Sequence, residues 1–113
     1  MEINLPAVKM EVEAAFALYE TALVTNDIDK LQELFWSSPH TIRYGLSENL
    51  YGYQESGAFR AGRSPAGLAR MTSRTIITTY GNDFATAATL FHRETTPDKV
   101  GRQMQTWARM QQF

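Results

Sequence analysis

Two side chains in this 113-residue chain occupy positions where their chemistry needs an explanation: Tyr19, within ALYETAL, and Arg43, within SPHTIRYGLSENLYG. Tyr19 falls inside an apolar helical stripe, so its phenol sits among hydrophobic neighbours and must find a hydrogen-bond partner there. One outcome is a core tyrosine bonded to a backbone carbonyl. The other is a polar group lining a pocket. Arg43 belongs to a strand-like run and faces away from His40, Ile42 and Tyr44. A guanidinium in a partly buried strand needs an anion, either a protein carboxylate or a ligand carboxylate. Residue types alone leave both open. A purely structural role predicts an ion pair with an acid such as Glu20 or Glu48.

Other chemistries have little to stand on. The chain has no cysteine, which excludes disulfides, thiolate metal sites and cysteine nucleophiles. No GxSxG, HExxH, phosphate-binding glycine loop or Rossmann fingerprint occurs. His40 and His92 have no acids at ligand spacing beside them, so structural or surface roles are expected, and no metal or cofactor. Serines are plentiful, but nothing ties one to a histidine base. Trp36 and Tyr44, flanking Pro39, can wall a cavity or simply pack in the core. Gln103 and Gln105 share a strand face with Trp107 and are either lining or exposed positions.

The net charge of −1 argues against bulk binding to nucleic acid or to anionic membrane. Its distribution is uneven. Seven acids lie within the first 33 residues, and none lies between Glu55 and Asp83, where Arg60, Arg63, Arg70 and Arg74 all fall. Eight of the eleven basic residues are arginine, the side chain suited to bidentate carboxylate recognition. An oligomer interface or solvated basic face explains this stretch, and so does an anionic small-molecule ligand.

The elements that must position these residues follow from periodicity. Val8, Val12, Ala15, Phe16, Tyr19, Ala22 and Leu23 form one stripe of a long first helix, started by Asn4 and Pro6 and broken at TND, residues 25–27. NDIDKLQELFW reads as a second helix, capped by Asn26 or Asp27, facing inward through Ile28, Leu31, Leu34 and Phe35, and stopped by Pro39. HTIRY, a turn through GLSEN, and LYGY form a hairpin. YQESGAFRAGR allows a short third helix weakened by Gly57. RMTSRTIITTY, FATAATLFHRE and VGRQMQTWARM, with breaks at GND and TTPDK, make an antiparallel meander. Helices first and antiparallel strands afterwards predict a single α+β domain over residues 1–113, its helices covering one face of a curved sheet. No apolar run approaches a membrane span, and MEINLPAVK lacks the layout of a signal peptide, so a cytoplasmic location is expected.

NLPAVKMEVEAAFALYETALVTNDIDKLQELFW, SPHTIRYGLSENLYGYQESGAFRAGR, YGNDFATA and GRQMQTW together resemble the AtzH-like family of the nuclear-transport-factor-2-like superfamily. The match runs from about residue 3 to residue 109, and the order SPHTIRYG, LYGY, GRQ-x-QTW is its specific part. The resemblance implies a cone-shaped fold of helices on a strongly curved antiparallel sheet, with an internal cavity and a sheet face that commonly forms a homodimer. It also implies metal-independent amidohydrolysis with decarboxylation of a carboxylated urea, within an amidase system for small nitrogen compounds. A non-catalytic ligand-binding or accessory protein of such an amidase is the alternative. The residues implicated in the family carry over to Tyr19 and Arg43. In this reading Arg43 grips a planar carboxylate and Tyr19 protonates the nitrogen left when carbon dioxide departs. A phenol, which titrates near 10, is protonated at neutral pH and suits an acid better than a base.

Trp36, His40 and Arg74 are the candidate substrate contacts around that pair, and the expected ligand is a small anionic carboxylate. Family members continue past GRQ-x-QTW into a last strand that typically opens Gly-Trp-Arg, where this sequence reads MQQF. The resemblance therefore implies that the hairpin carrying Arg43 lacks a sheet neighbour unless a partner chain supplies one.

Overall fold

Pro6, with its fixed φ and no N–H to lose, opens the first helix, α1 (Pro6–Thr25). The computed structural model describes residues 1–45 and 47–110. Leu46, in the expected turn, and residues 111–113, at the end of the meander, lie outside the described residues. The chain divides into two compact units, Met1–Leu18 with Ala69–Phe113 and Tyr19–Leu68. We refer to them as the sheet unit and the helical unit.

The sheet unit contains the first part of α1 and three strands, β3 (Arg70–Tyr80), β4 (Phe84–Arg93) and β5 (Thr96–Ala108), in the order β3-β4-β5. Both pairings are antiparallel. Alternation along β4 buries Ala85, Ala87 and Thr89 on one face, and the register sets Trp107, Gln105 and Gln103 of β5 opposite them. Phe16 of α1 packs with Ile77 and Ala87, flanked by Val12 and Trp107. Residues before α1 pair with the end of β3: Asn4 N–H donates to the Thr79 carbonyl (3.1 Å), and Thr79 N–H donates to Asn4 Oδ1 (2.9 Å). β5 begins at Thr96, earlier than the expected TTPDK break, because Arg93 pairs with Thr96 across a tight turn. Pro97 is tolerated there because β5 pairs on one side only among the described residues.

In the helical unit α1 ends at Thr25, where Asn26 takes the left-handed conformation (φ 50°) that terminates helices. Asp27 caps α2 (Ile28–Leu34), its side chain accepting from Lys30 N–H. The helix stops at Leu34, five residues before the expected breaker Pro39. Phe35 has already turned extended, and Thr41 Oγ1 closes the following loop onto the Trp36 carbonyl at 2.6 Å. A short hairpin follows, β1 (Ile42–Tyr44) with β2 (Asn49–Tyr51), and forms a two-stranded sheet by itself among the described residues. Gly52, at φ 90°, leads into α3 (Tyr53–Ala61). The result is the α+β arrangement that the order of elements predicted.

Candidate functional site

The hairpin presents Arg43 as its alternation requires: Ile42 and Tyr44 are exposed and Arg43 is half-buried. Its Nη1 donates to Glu48 Oε1 at 3.0 Å, across the turn. Glu48 is seated further by Ser47, whose N–H and Oγ reach Oε2 at 3.3 and 3.2 Å. Gly45 makes this possible, since a Cβ there would collide with Glu48 Oε1. Partial burial works to raise the Glu48 carboxyl, but the hydrogen bonds from Arg43 and Ser47 outweigh it and hold the group below the usual carboxylate range. Glu48, expected as a structural partner for Arg43, is bonded to it.

Tyr19 is buried, and its ring lies 6.0 Å from that of Phe35. The opposite side of this neighbourhood is built by α3. Ser56 and Arg60, one turn apart on that helix, are both fully buried at 0% exposure. The Arg60 guanidinium stacks on Phe35 at 3.9 Å from the ring centre, and its Nη1 donates to Gln32 Oε1 at 3.2 Å. Gln32 reaches α3 because residue 57 is glycine: a Cβ there would be 2.6 Å from Gln32 Nε2. Phe59, adjacent on α3, has the Arg43 guanidinium at 5.3 Å and that of Arg63 at 5.6 Å. Arg63 Nε in turn donates to Asn26 Oδ1 at 3.0 Å.

Three arginines therefore converge in one small unit, and one of them is uncompensated. Among the described residues Arg60 makes no ion pair, and its Nε and Nη2 have no hydrogen-bond partner; nor does Ser56 Oγ. Burial is the main cause that pushes the Arg60 guanidinium down to about 10. The positive charge of Arg43 adds to it, and Tyr19 offsets it in part. A depressed base keeps its proton less well folded than unfolded, so the cost is present in full at neutral pH and is relieved only above about 10. An unpaired buried cation costs several kcal/mol, in order of magnitude. Arginine does not shed its proton to escape the penalty at physiological pH. Of the charges acting on Arg60, those of Arg43 and Arg63 share its sign.

The remaining candidates divide between the units. Trp36 and His40 are exposed in the helical unit, with rings 6.3 Å apart. Tyr44 is also exposed, its ring edge-on to Tyr51. Arg74 belongs to the sheet unit, exposed and left-handed (φ 50°) at the bulge in β3 between Ser73 and Ile76. Gln103 is half-buried and accepts from Arg70 at 3.1 Å; Gln105 accepts from Trp107 Nε1 at 3.0 Å. The sheet unit also has an apolar cleft of about 100 Å³ between Val8, Val12, Ala85 and Trp107, rimmed by the Glu11–Arg109 ion pair. Its charged groups, Glu11, Asp83 and Arg109, form exposed ion pairs. No group of three or more His, Asp or Glu side chains suited to a metal occurs among the described residues, and no helix is long and apolar enough to cross a membrane.

Sequence reading singled out Tyr19 and Arg43 and overlooked Arg60 as a site residue. The signal was present in YQESGAFR. Tyr53, Ser56 and Arg60 recur at helical spacing, and the small residues Ser56 and Gly57 between them permit close approach.

The AtzH-like family model matches residues 1–113. A protein of unknown function from the DUF3225 family of Pectobacterium atrosepticum has a crystal structure similar to this chain, with a TM-score of 0.92 and 52% identity, covering 96% of this chain and 84% of that one. A cystatin-like fold protein from Burkholderia xenovorans gives a TM-score of 0.92 and 47% identity, covering 98% and 85%. No curated protein matches.

Proposed function

The chain belongs to the AtzH-like family, with the cystatin-like α+β fold, and from that premise we propose that it binds and transforms a small planar carboxylate in its helical unit. The reaction is amidohydrolysis with decarboxylation, and the substrate class is a carboxylated urea or a related nitrogen-containing carboxylate. The single observation that carries this reading is Arg60: a fully buried cation with no ion pair among the described residues, its charge opposed by burial and by the like charge of Arg43. Proteins tolerate such a cost where a ligand repays it.

In this mechanism Arg43 exchanges Glu48 for the substrate carboxylate, a like-for-like replacement of one planar anion by another. Cleavage of the N–carboxyl bond releases carbon dioxide and leaves its electron pair on nitrogen. Tyr19, buried against Phe35, delivers the proton that neutralises it. Hydrolysis of the amide then adds water and releases ammonia. Trp36 and His40 are proposed as contacts at the exposed side. The assay is turnover of a carboxylated urea by purified protein, followed by carbon dioxide and ammonia together. Loss of a general acid lowers rates by about 10²–10⁴-fold, so Tyr19→Phe is expected to fall in that range. Full turnover by Tyr19→Phe would remove it from the mechanism.

A specific observation favours a second reading. Glu48 already neutralises Arg43, as in a protein that holds a ligand or serves an amidase without catalysis. Saturable binding with no release of carbon dioxide or ammonia would select this alternative.

We further propose a homodimer through the outer face of the three-stranded sheet. Ile76 and Met104 are exposed and aligned through Ala88, and Met71 is exposed beyond them. Met104→Glu is expected to shift the protein from dimer to monomer by light scattering.

A further inference from the structure

Arginine offers two edges for bidentate contact, and the edge made by Nε and Nη2 is the side-on fork that matches the two oxygens of a carboxylate. In Arg60 those are the two atoms without partners, while Nη1, on the other side, is occupied by Gln32. The stack on Phe35 fixes the plane of the group. Ser56 Oγ, one turn earlier on the same helix, is a further buried polar atom with no hydrogen-bond partner. Three donors left open together, on one helix face, are more than an isolated packing fault.

We infer that the Nε–Nη2 edge of Arg60, with the Ser56 hydroxyl, is a binding seat for a planar carboxylate, separate from the one that Glu48 occupies on Arg43. The carboxylate lies in the plane of the guanidinium, each oxygen accepting one N–H, and Ser56 Oγ donates to one of them. Arg43 carries its own carboxylate across the hairpin, whereas Arg60 has none among the described residues, so Arg60 is the first anchor for an incoming anion. Gly57 leaves room for Gln32, and Gln32 occupies Nη1, leaving the Nε–Nη2 edge as the one without a partner. The inference rests on the helical unit being an anion site. It goes beyond that reading by assigning the primary contact to Arg60 and Ser56.

A distinctive consequence follows for stability. A structural arginine stabilises the protein that contains it, and its replacement lowers the melting temperature. A seat waiting for an anion does the reverse. Arg60→Met fills similar volume without the charge, so the ligand-free protein is expected to melt higher than the parent.

The test is thermal melting and calorimetric titration with oxamate, a stable planar carboxylate, on the parent, Arg60→Met, Ser56→Ala and Arg43→Gln. The expected result is saturable binding by the parent, abolished in Arg60→Met although that variant melts higher. Ser56→Ala should melt as the parent does and bind about tenfold more weakly, the loss of one hydrogen bond to a charged group. If Arg60→Met and Ser56→Ala bind oxamate as the parent does while Arg43→Gln does not, the seat is overturned and the anion site stands on Arg43. If Arg60→Met melts lower and Ser56→Ala binds normally, Arg60 is structural and the seat is likewise overturned. If the parent binds no oxamate, both the seat and the anion site fall.

Discussion

In the sheet unit the interior polar atoms are neutral, whereas in the helical unit the largest fully buried side chain is a charged arginine. Thr89 illustrates the first case: its hydroxyl shares a hydrogen bond with Thr75 at 2.8 Å and reaches the Ser73 carbonyl at 3.2 Å. Thr79 Oγ1 and Gln103 Nε2 are left over there, at the cost of an unmet neutral group, about 1–3 kcal/mol each. In the helical unit Arg60 is left with two open N–H groups and a full charge. The first unit is organised for packing around Phe16, Ile77 and Ala87; the second encloses the Arg60 guanidinium, where an anion is proposed to bind. In that proposal one unit is the scaffold and the other carries the site.

Substitutions can break this contrast by the sign of their effect. Ile77→Ala empties the sheet unit's core and is expected to cost about 2–4 kcal/mol by denaturant titration, since truncating buried aliphatic residues does so generally. Arg60→Met, at the corresponding centre of the helical unit, is expected to gain about 1–3 kcal/mol in the absence of ligand, as replacement of buried charges by apolar groups often does. A loss of similar size at both positions would erase the distinction.

Smaller changes sharpen it. Glu48→Gln removes the charge opposite Arg43 in a partly exposed pair, and a loss of about 1 kcal/mol is expected. Because the Glu48 carboxyl is held low, its contribution is complete above the ordinary carboxylate range and disappears as the pH falls through the depressed value. A pH series of melting temperatures should therefore show a shallower acid limb in Glu48→Gln than in the parent. Gly45→Ala should mimic this change, because the new Cβ occupies the space of the Glu48 carboxylate. The smallest effect is expected at Lys30→Ala, which opens the exposed pair with Glu33 and should leave the melting midpoint where it was.

Much of the scaffold could be read from periodicity, because burial on one face repeats every few residues. The α1 stripe and the bounds of β3 follow from that rule, and so does the antiparallel meander. Departures occurred where local geometry decided. β5 starts early because a tight turn pairs Arg93 with Thr96, and Arg74 is exposed in a bulge that alternation does not foresee. In the helical unit, Tyr19 and Arg43 stood out as residues needing partners. Glu48 as the partner of Arg43 depended on Gly45 leaving room, a property of space rather than pattern. Arg60 was the hardest to read. Charged residues on short helices are usually solvated, and only the packing of Phe35 and Gln32 around its guanidinium reveals that this one is enclosed.

The most direct measurement of the central claim is the NMR signal of the Arg60 Nε–H during titration with oxamate, identified by its loss in Arg60→Met. The account predicts that this resonance moves to saturation and becomes protected from exchange as the carboxylate takes the open edge. A resonance that stays in place at saturating oxamate, while that of Arg43 moves, would contradict it.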